Sequence, residues 1–362
     1  MGNALSSFDQ FSEEILAKTP LFVIGSGFSI GAGIPGMPSL ASWLTKNVVS
    51  SQEDATAWHQ IVQQLTSGVG LEAALQNAGA IRPALRDSIV QWTWRFIRSH
   101  ELDALIRSAK GEDVTGLACL LQRFSNSTNT RVDILTTNYD QVIEWSCGVA
   151  NWSVWDGFDG NALAKPILHD KWLVQSHGGS KSRKEASASP FRHVRLFKVH
   201  GSVSWFKRDG SLIKLPGLHE SDLSTIINEG FQPTLVTPGT DKYLEGYQDP
   251  YGSIFAEAHR AIDAARALIF IGFGFNDFHV LGPLEGKLTD RSIPKLIITK
   301  HFSKPLIDRI ETKKIRSFTA VEDGGPLRSS IKSDLIDSSA TEAGRWTLAG
   351  MLAGAWGLEE QT

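Results

Sequence analysis

Short apolar runs, each closed by glycine or polar residues, punctuate the chain at Leu21–Ile24, Val132–Thr136, Val194–Val199, Thr234–Val236, Leu268–Ile271 and Leu296–Ile298. Runs of this length without polar alternation are the pattern of strands buried on both faces. Helical patterns separate several of them, for example Ala256–Ala267 just before Leu268. Strands alternating with helices predict a parallel sheet with crossover helices, so the expected fold class is α/β, a doubly wound, Rossmann-like parallel sheet.

The first two runs are far apart, and no convincing strand lies between them. Leu40–Val49, Asp54–Thr66, Arg82–Ser99 and Val114–Phe124 read as helices, with Trp92, Phe96 and Ile97 spaced as one buried face. Residues 39–129 are therefore expected to form an inserted helical module. Residues 1–38 and 130–330 would then make one discontinuous catalytic domain. Asp156–Ser189 reads as a loop-rich excursion with Gly178-Gly179 at its tip. Its charge run Lys181-Ser182-Arg183-Lys184 is of the kind a solvated loop carries. Residues 331–362 are expected to be a C-terminal helical tail, with Trp346, Met351, Leu352 and Trp356 docking on the core or on another subunit.

Composition narrows the function classes. A hydrophobic fraction of 41% and a charged fraction of 21% are those of an ordinary globular chain. Lys+Arg of 36 against Asp+Glu of 39 gives a net charge of -3, without the basic excess of a nucleic-acid binder. No apolar run approaches the length of a membrane span. Two cysteines, Cys119 and Cys147, supply neither a disulfide framework nor a four-cysteine zinc site. His169, His177, His193 and His279 have no metal-ligand spacing either, so no metal is expected. There is no basic-then-apolar leader, which makes the cytoplasm the expected location. Met1-Gly2 with Ser6 fits the loose myristoylation pattern.

The strongest local signal is Gly25-Ser26-Gly27-Phe28-Ser29-Ile30-Gly31-Ala32-Gly33-Ile34-Pro35, directly after the first run. Glycines at the carboxyl end of a parallel strand let backbone N–H groups approach an anion, typically a pyrophosphate. A tight turn needing glycine is the plain alternative. The dinucleotide pattern G-x-G-x-x-G fails at Ile30, and no Lys-Ser/Thr completes a P-loop. Gly27-Phe28-Ser29-Ile30-Gly31 also matches the nucleophile elbow of hydrolases, although an elbow normally follows several strands.

Three further segments close predicted strands. In Thr136-Thr137-Asn138-Tyr139-Asp140, Asn138 and Asp140 can hold a sugar hydroxyl or position a water. They read equally as a helix start, with Asn138 the cap and Asp140 in the first turn. In Lys198-Val199-His200-Gly201-Ser202, His200 is an acid/base candidate. Ile271-Gly272-Phe273-Gly274-Phe275-Asn276-Asp277 can line the adenosine half of a dinucleotide, or be a strand-to-helix turn with an Asn/Asp cap. The candidate ligand contacts are Gly25, Ser26, Gly27, Ser29, Ala32, Gly33, Ile34, Pro35, Thr137, Gly272, Asn276 and Asp277. The candidate catalytic residues are Asn138, His200 and Asp140.

Taken together, these segments resemble the sirtuin superfamily. The loop Gly25–Pro35 looks like its glycine-rich signature, Thr137-Asn138-Tyr139-Asp140 like its second motif, and His200-Gly201 like its catalytic pair, all in the family's order from about Leu21 to Thr299. There are departures. The zinc module of deacylating sirtuins cannot be built, Gly36-Met37-Pro38 stands where an acidic-aromatic-arginine stretch follows Ile-Pro, and no protein-substrate strand motif is visible. The chain is more similar to the sirtuin-like branch of bacterial anti-phage defence. That resemblance implies hydrolysis of NAD+, as substrate, to nicotinamide and ADP-ribose. It also implies that self-assembly, or a separate partner such as an ATPase/helicase or another phage sensor, keeps the activity silent until infection, with a homo-oligomer expected. Two alternatives are an NAD-dependent deacylase or ADP-ribosyl transferase, and a non-catalytic nucleotide sensor.

Overall fold

Alternate residues of β1 (Leu21–Ile24) enter two different cores: Phe22 and Ile24 pack into one, Leu21 and Val23 into the other. A strand without polar residues therefore has both faces covered, as its unbroken apolar run predicts. The computed structural model describes residues 7–79, 81–126, 129–159, 163–166, 192–236 and 251–357.

The strands in chain order are β1, β2 (Arg131–Thr136), β3 (Ser153–Trp155), β4 (Phe158–Asp159), β5 (Lys165–Pro166), β6 (His193–Lys198), β7 (Gly201–Arg208), β8 (Ser211–Lys214), β9 (Gln232–Leu235), β10 (Leu268–Ile271), β11 (Lys295–Ile298), β12 (Phe318–Asp323), β13 (Ser329–Ser333) and β14 (Ala340–Thr341). Nine of them form one sheet in the order β14-β13-β12-β11-β10-β1-β2-β6-β3. From β12 to β3 every pairing is parallel, and β13 and β14 continue it antiparallel. The fold class is the expected one, α/β with a doubly wound parallel sheet. Helices Tyr251–Ala264, Phe278–Thr289 and Lys304–Glu311 lie with the second core, whereas the helices before β2 lie with the first.

Two expectations need correction. The run Thr234–Val236 is not a parallel strand. Its residues belong to β9 and its end, antiparallel to β7 in a three-stranded sheet β8-β7-β9. A three-residue apolar run carries no information about its partner's direction. Residues 331–362 are not helical throughout, because β13 and β14 occupy their start and helix is confined to Leu348–Trp356 among the described residues. That helix docks on the core, with Met351 and Leu352 fully buried, Trp356 edge-on to Phe124 at 6.3 Å, and Arg345 bonded to Asp9 at 3.0 Å.

Between β1 and β2 the described residues form helices only: α2 (Ser26–Ile30), α3 (Met37–Asn47), α4 (Ala55–Thr66), α5 (Leu71–Asn77), α6 (Pro83–Ala109) and α7 (Leu117–Ser125). The N-terminal α1 (Phe8–Leu16) precedes β1. Of the three residues read as one face of α6, Phe96 and Ile97 are buried and Trp92 only half-buried; the deepest ring is Trp94. Its Nε1 donates to Val203 O at 2.7 Å, and its ring meets Phe206 edge-on at 5.9 Å. Trp94 thus fastens the helical module to β7. Trp94→Ala is expected to destabilise the protein by about 3–5 kcal/mol, read by denaturant unfolding. A change under 1 kcal/mol would show that the module and the sheet are energetically independent. Leu102, Leu105 and Ile106 stay exposed further along α6, and no helix among the described residues is long and apolar enough to cross a membrane.

The Lys181–Lys184 run, Gly178-Gly179, His169, His177 and the Met1-Gly2 terminus lie outside the described residues.

Candidate functional site

From β1 the chain passes to β2 on one side, and from β10 to β11 on the other, so the sheet's connections diverge between β1 and β10. In open α/β sheets ligands bind at such a switch point, beyond the carboxyl ends of the strands. The residues that follow β1, β2, β6 and β10 meet here.

The glycine loop and the β10 turn are pressed together. Gly25 N–H donates to Ile271 O and Gly27 N–H to Gly272 O, each at 3.0 Å. A Cβ on Gly25 would lie 2.6 Å from Gly272 O, and one on Gly27 2.7 Å from Gly272 Cα. These glycines therefore serve backbone-to-backbone packing. Their amides, expected to face an anion, are engaged within the fold. Ser29 lies inside α2 and accepts from a carboxamide rather than facing a histidine, so the nucleophile-elbow reading finds no support.

That carboxamide is Asn138. Its Nδ2 donates to Gly25 O at 3.0 Å and to Ser29 Oγ at 2.9 Å. A backbone carbonyl can only accept, which fixes the amide's orientation and leaves Oδ1 as its remaining polar atom. Ser29, accepting there, keeps its hydroxyl proton for another partner. Thr136 Oγ1 donates to Ile24 O and accepts from Asn138 N–H, both at 3.0 Å, clamping the end of β2 to β1. Asn138 does not cap a helix: α8 (Val142–Val149) begins after Gln141, and Asp140 Oδ1 accepts from Val142 N–H at 3.2 Å.

His200 follows β6 and is held by its backbone. Its carbonyl accepts from Val236 N–H at 2.9 Å, and Gly201 turns the chain with φ +85°. Tyr139, whose hydroxyl donates to Val236 O at 2.7 Å, lies beside the imidazole with ring centroids 6.4 Å apart. The Nε2 of His200 is 2.9 Å from Asp277 Oδ2, yet it makes no aligned hydrogen bond among the described residues. The contact is an ion-pair approach off the N–H axis. Asp277 also caps the helix Phe278–Thr289, accepting from His279 and Val280 N–H through Oδ1.

Behind Asp140 is a buried charge network that sequence reasoning missed. Lys198 Nζ donates to the Asp140 carbonyl and to Glu144 at 2.9 Å. From α6, Arg98 bonds Glu101 at 2.9 Å and Gln141 Oε1 at 3.0 Å, while Glu101 accepts from Gln141 N–H at 2.7 Å. Burial pushes the Glu101 carboxyl up to about 7, with Arg98 opposing the shift. The folded state thus holds this proton more tightly than the unfolded chain does. Its contribution to stability is complete below the ordinary carboxylate value and is lost as pH rises toward 7. Glu101→Gln is expected to flatten the decline of the thermal midpoint between about pH 4.5 and 7. Parallel pH profiles of variant and wild type would contradict this.

The site is a cleft of about 880 Å³, its open mouth included. Asn138, Asp140 and His200 all line it, as do Gly25, Ser26, Ser29, Ile34, Pro35, Thr137, Asn276 and Asp277. Gly27, Ala32, Gly33 and Gly272 do not: Gly27 and Gly272 pack behind the cleft, and Ala32 is fully buried. Helices α3, α5 and α6 contribute Met37, Leu40, Glu72, Phe96 and Ile97, none expected as ligand contacts. Glu72 stands in the first turn of α5, too far along the chain from any strand-end motif to be read as a site residue. Three carboxylates and no Lys or Arg line the cleft among the described residues. A second groove shares Met37, Glu72 and Asn276 with it and runs past Phe275 and Phe278. No group of three or more His, Cys, Asp or Glu is placed to hold a metal ion among the described residues.

The profile of the SIR2-like domain family matches residues 132–316, just over half of the chain, and takes in Asn138, Asp140, His200 and Asp277. The chain belongs to the SIR2-like family. The glycine loop and the helical module precede the matched span of this SIR2-like protein. Among solved structures, one described as the structural basis for the mechanism and regulation of Sir2 enzymes aligns at 14% identity over 98% of this chain and 99% of its own, with TM-score 0.45. A SIR2 homolog–NAD complex aligns at 12% identity over 88% of this chain and 90% of its own, with TM-score 0.41. No curated protein matches the chain. Membership of the SIR2-like family suggests an NAD-utilising enzyme.

Proposed function

We propose that this SIR2-like protein is an NAD+ glycohydrolase, cleaving the nicotinamide–ribose bond to give nicotinamide and ADP-ribose. The observation that carries the reading is the convergence of Asn138, Asp140 and His200 on one cleft beside the glycine loop. In the reaction the bond from C1′ to the pyridinium nitrogen breaks, and its electron pair leaves with nicotinamide, which departs neutral. Water supplies the oxygen that bonds C1′, and its proton passes to His200 and then to solvent. Positive charge develops on the sugar in the transition state, as in other glycoside hydrolyses. A lining with three carboxylates and no cation among the described residues favours that charge. Asn138, with both amide protons engaged, offers Oδ1 as an acceptor for a ribose hydroxyl or the attacking water. Asp140 is fixed by Val142 N–H and by the Lys198 contact to its carbonyl, and it orients the ribose. The adjoining groove, which shares Met37, Glu72 and Asn276 with the cleft, extends it for the rest of a dinucleotide.

The test is nicotinamide release from NAD+ with and without an acetylated peptide. Equal release in both, with the peptide left acetylated, supports hydrolysis. Release that needs the peptide and yields acetyl-ADP-ribose assigns the chain to deacylation.

The wider role, an anti-phage effector that depletes NAD+ and is restrained by self-assembly or a partner ATPase, rests on the resemblance described above. The exposed Leu102, Leu105 and Ile106 on α6 support self-association with a second copy of the chain. A monomer on size-exclusion chromatography that is fully active alone would count against both means of restraint.

A further inference from the structure

We infer that Asp277 is a positioning residue for His200, its carboxylate holding the imidazole and stabilising the imidazolium formed when the ring takes a proton; this rests on the glycohydrolase reading.

The two carboxylate oxygens of Asp277 face different partners. Oδ1 makes both capping bonds to the helix Phe278–Thr289, at 2.9 Å to His279 N–H and 3.2 Å to Val280 N–H. Oδ2 makes neither, and it lies 2.9 Å from His200 Nε2. Both side chains are buried, at 8% and 7% exposure. A cap needs no charge: asparagine or serine serves as well. Burying an ionised carboxylate is costly unless a partner compensates it. The cap uses Oδ1, and Oδ2 is placed against the imidazole.

Delivery of Asp277 to this position is strained. Two residues earlier Phe275 has φ +58°, a conformation uncommon for a bulky side chain. The Phe275 ring is held by Phe270 and Phe273 at centroid distances of 4.9 and 5.1 Å, and Ser303 Oγ bonds Gly274 O at 2.7 Å. Such strain persists only where surrounding packing enforces it, and it gathers at functional sites. Asp140 and Tyr139 are the other polar groups of the cleft on the β2 side of His200, and they belong to a separate turn.

The experiment compares wild type, Asp277→Asn and Asp277→Ala, each also in a His200→Ala background. Asparagine keeps an acceptor for the cap and removes the anion. Asp277→Asn is expected to lower kcat by about 10²-fold, with KM changed by less than about threefold and an unchanged thermal midpoint. Asp277→Ala should lose the same factor in kcat and, with the cap gone, a few degrees of midpoint as well. In the His200→Ala background neither change should slow turnover further, because residues acting as a unit are non-additive. The second readout needs no turnover. The imidazole nitrogen resonances of His200, identified by their absence from His200→Ala, should move in Asp277→Asn while those of the other histidines stay. Unmoved resonances, or Asp277→Asn with wild-type kcat, overturn the inference. A wild type that leaves NAD+ intact overturns the glycohydrolase reading instead, and the resonances still decide the pairing.

Discussion

His200→Ala is expected to leave a folded protein that consumes NAD+ about 10²–10⁴-fold more slowly than wild type, the usual loss for a general acid/base. The fold should survive because the backbone of residue 200 carries the structural contacts. Its carbonyl accepts from Val236 N–H, and the turn that follows depends on Gly201. The ring contributes a cleft wall and an ion-pair approach to Asp277. Asn138→Ala should lose comparable activity with a larger structural effect, since Nδ2 ties the end of β2 to Gly25 and Ser29. Initial rates of NAD+ loss beside thermal unfolding separate the two. Wild-type rates in both variants would remove these residues from the chemistry.

The largest effect on stability at the cleft is expected from Gly272→Ala. The residue sits at φ +56°, where an L side chain costs about 1–2 kcal/mol. Its Cβ would also fall 2.5 Å from Gly27 C and Phe28 N, backbone atoms that no rotamer can move aside. The glycine loop and the β10 turn would have to part, with overpacking adding about 1–3 kcal/mol. Together these should destabilise the protein by about 2–5 kcal/mol and abolish NAD+ binding in calorimetry. Wild-type stability with wild-type binding would mean that the two loops do not need their close contact. Gly33→Ala is a useful contrast: its φ is +94°, but nothing lies within 4 Å of the added carbon, so strain alone remains.

The strands that carry the site were legible because burial on both faces leaves a continuous apolar run, as at Leu21–Ile24, Leu268–Ile271 and Leu296–Ile298. Their polar closures mark the cleft for the same reason: a buried parallel strand exposes ligand-facing residues only beyond its carboxyl end. What escaped depended on pairing between distant segments. β7 follows β6 almost directly and pairs antiparallel with β9 across an intervening strand and helix, so the apolar run at Thr234–Val236 gave no sign of its partner. The helix α6 was read only to Ser99. Beyond it exposed Leu102, Leu105 and Ile106 alternate with buried Glu101 and Ala104, which inverts the usual amphipathic pattern. Glu101 and Arg98 look like surface charges in a helix, and only the approach of Gln141 and Lys198 makes them an internal network. The glycines were legible, but their role in packing was not. Gly25 and Gly27 read as a cradle for phosphate, whereas their contact with Gly272 is a tertiary fact. Asp277 read as a cap or a cofactor contact, and its second oxygen found His200 only in three dimensions.

The most direct test is chromatography of the products formed when the purified wild-type protein is incubated with NAD+, run beside His200→Ala. Nicotinamide and free ADP-ribose in equal amounts are expected from wild type, and intact NAD+ from the variant. Intact NAD+ from both, or equal consumption by both, would contradict this expectation.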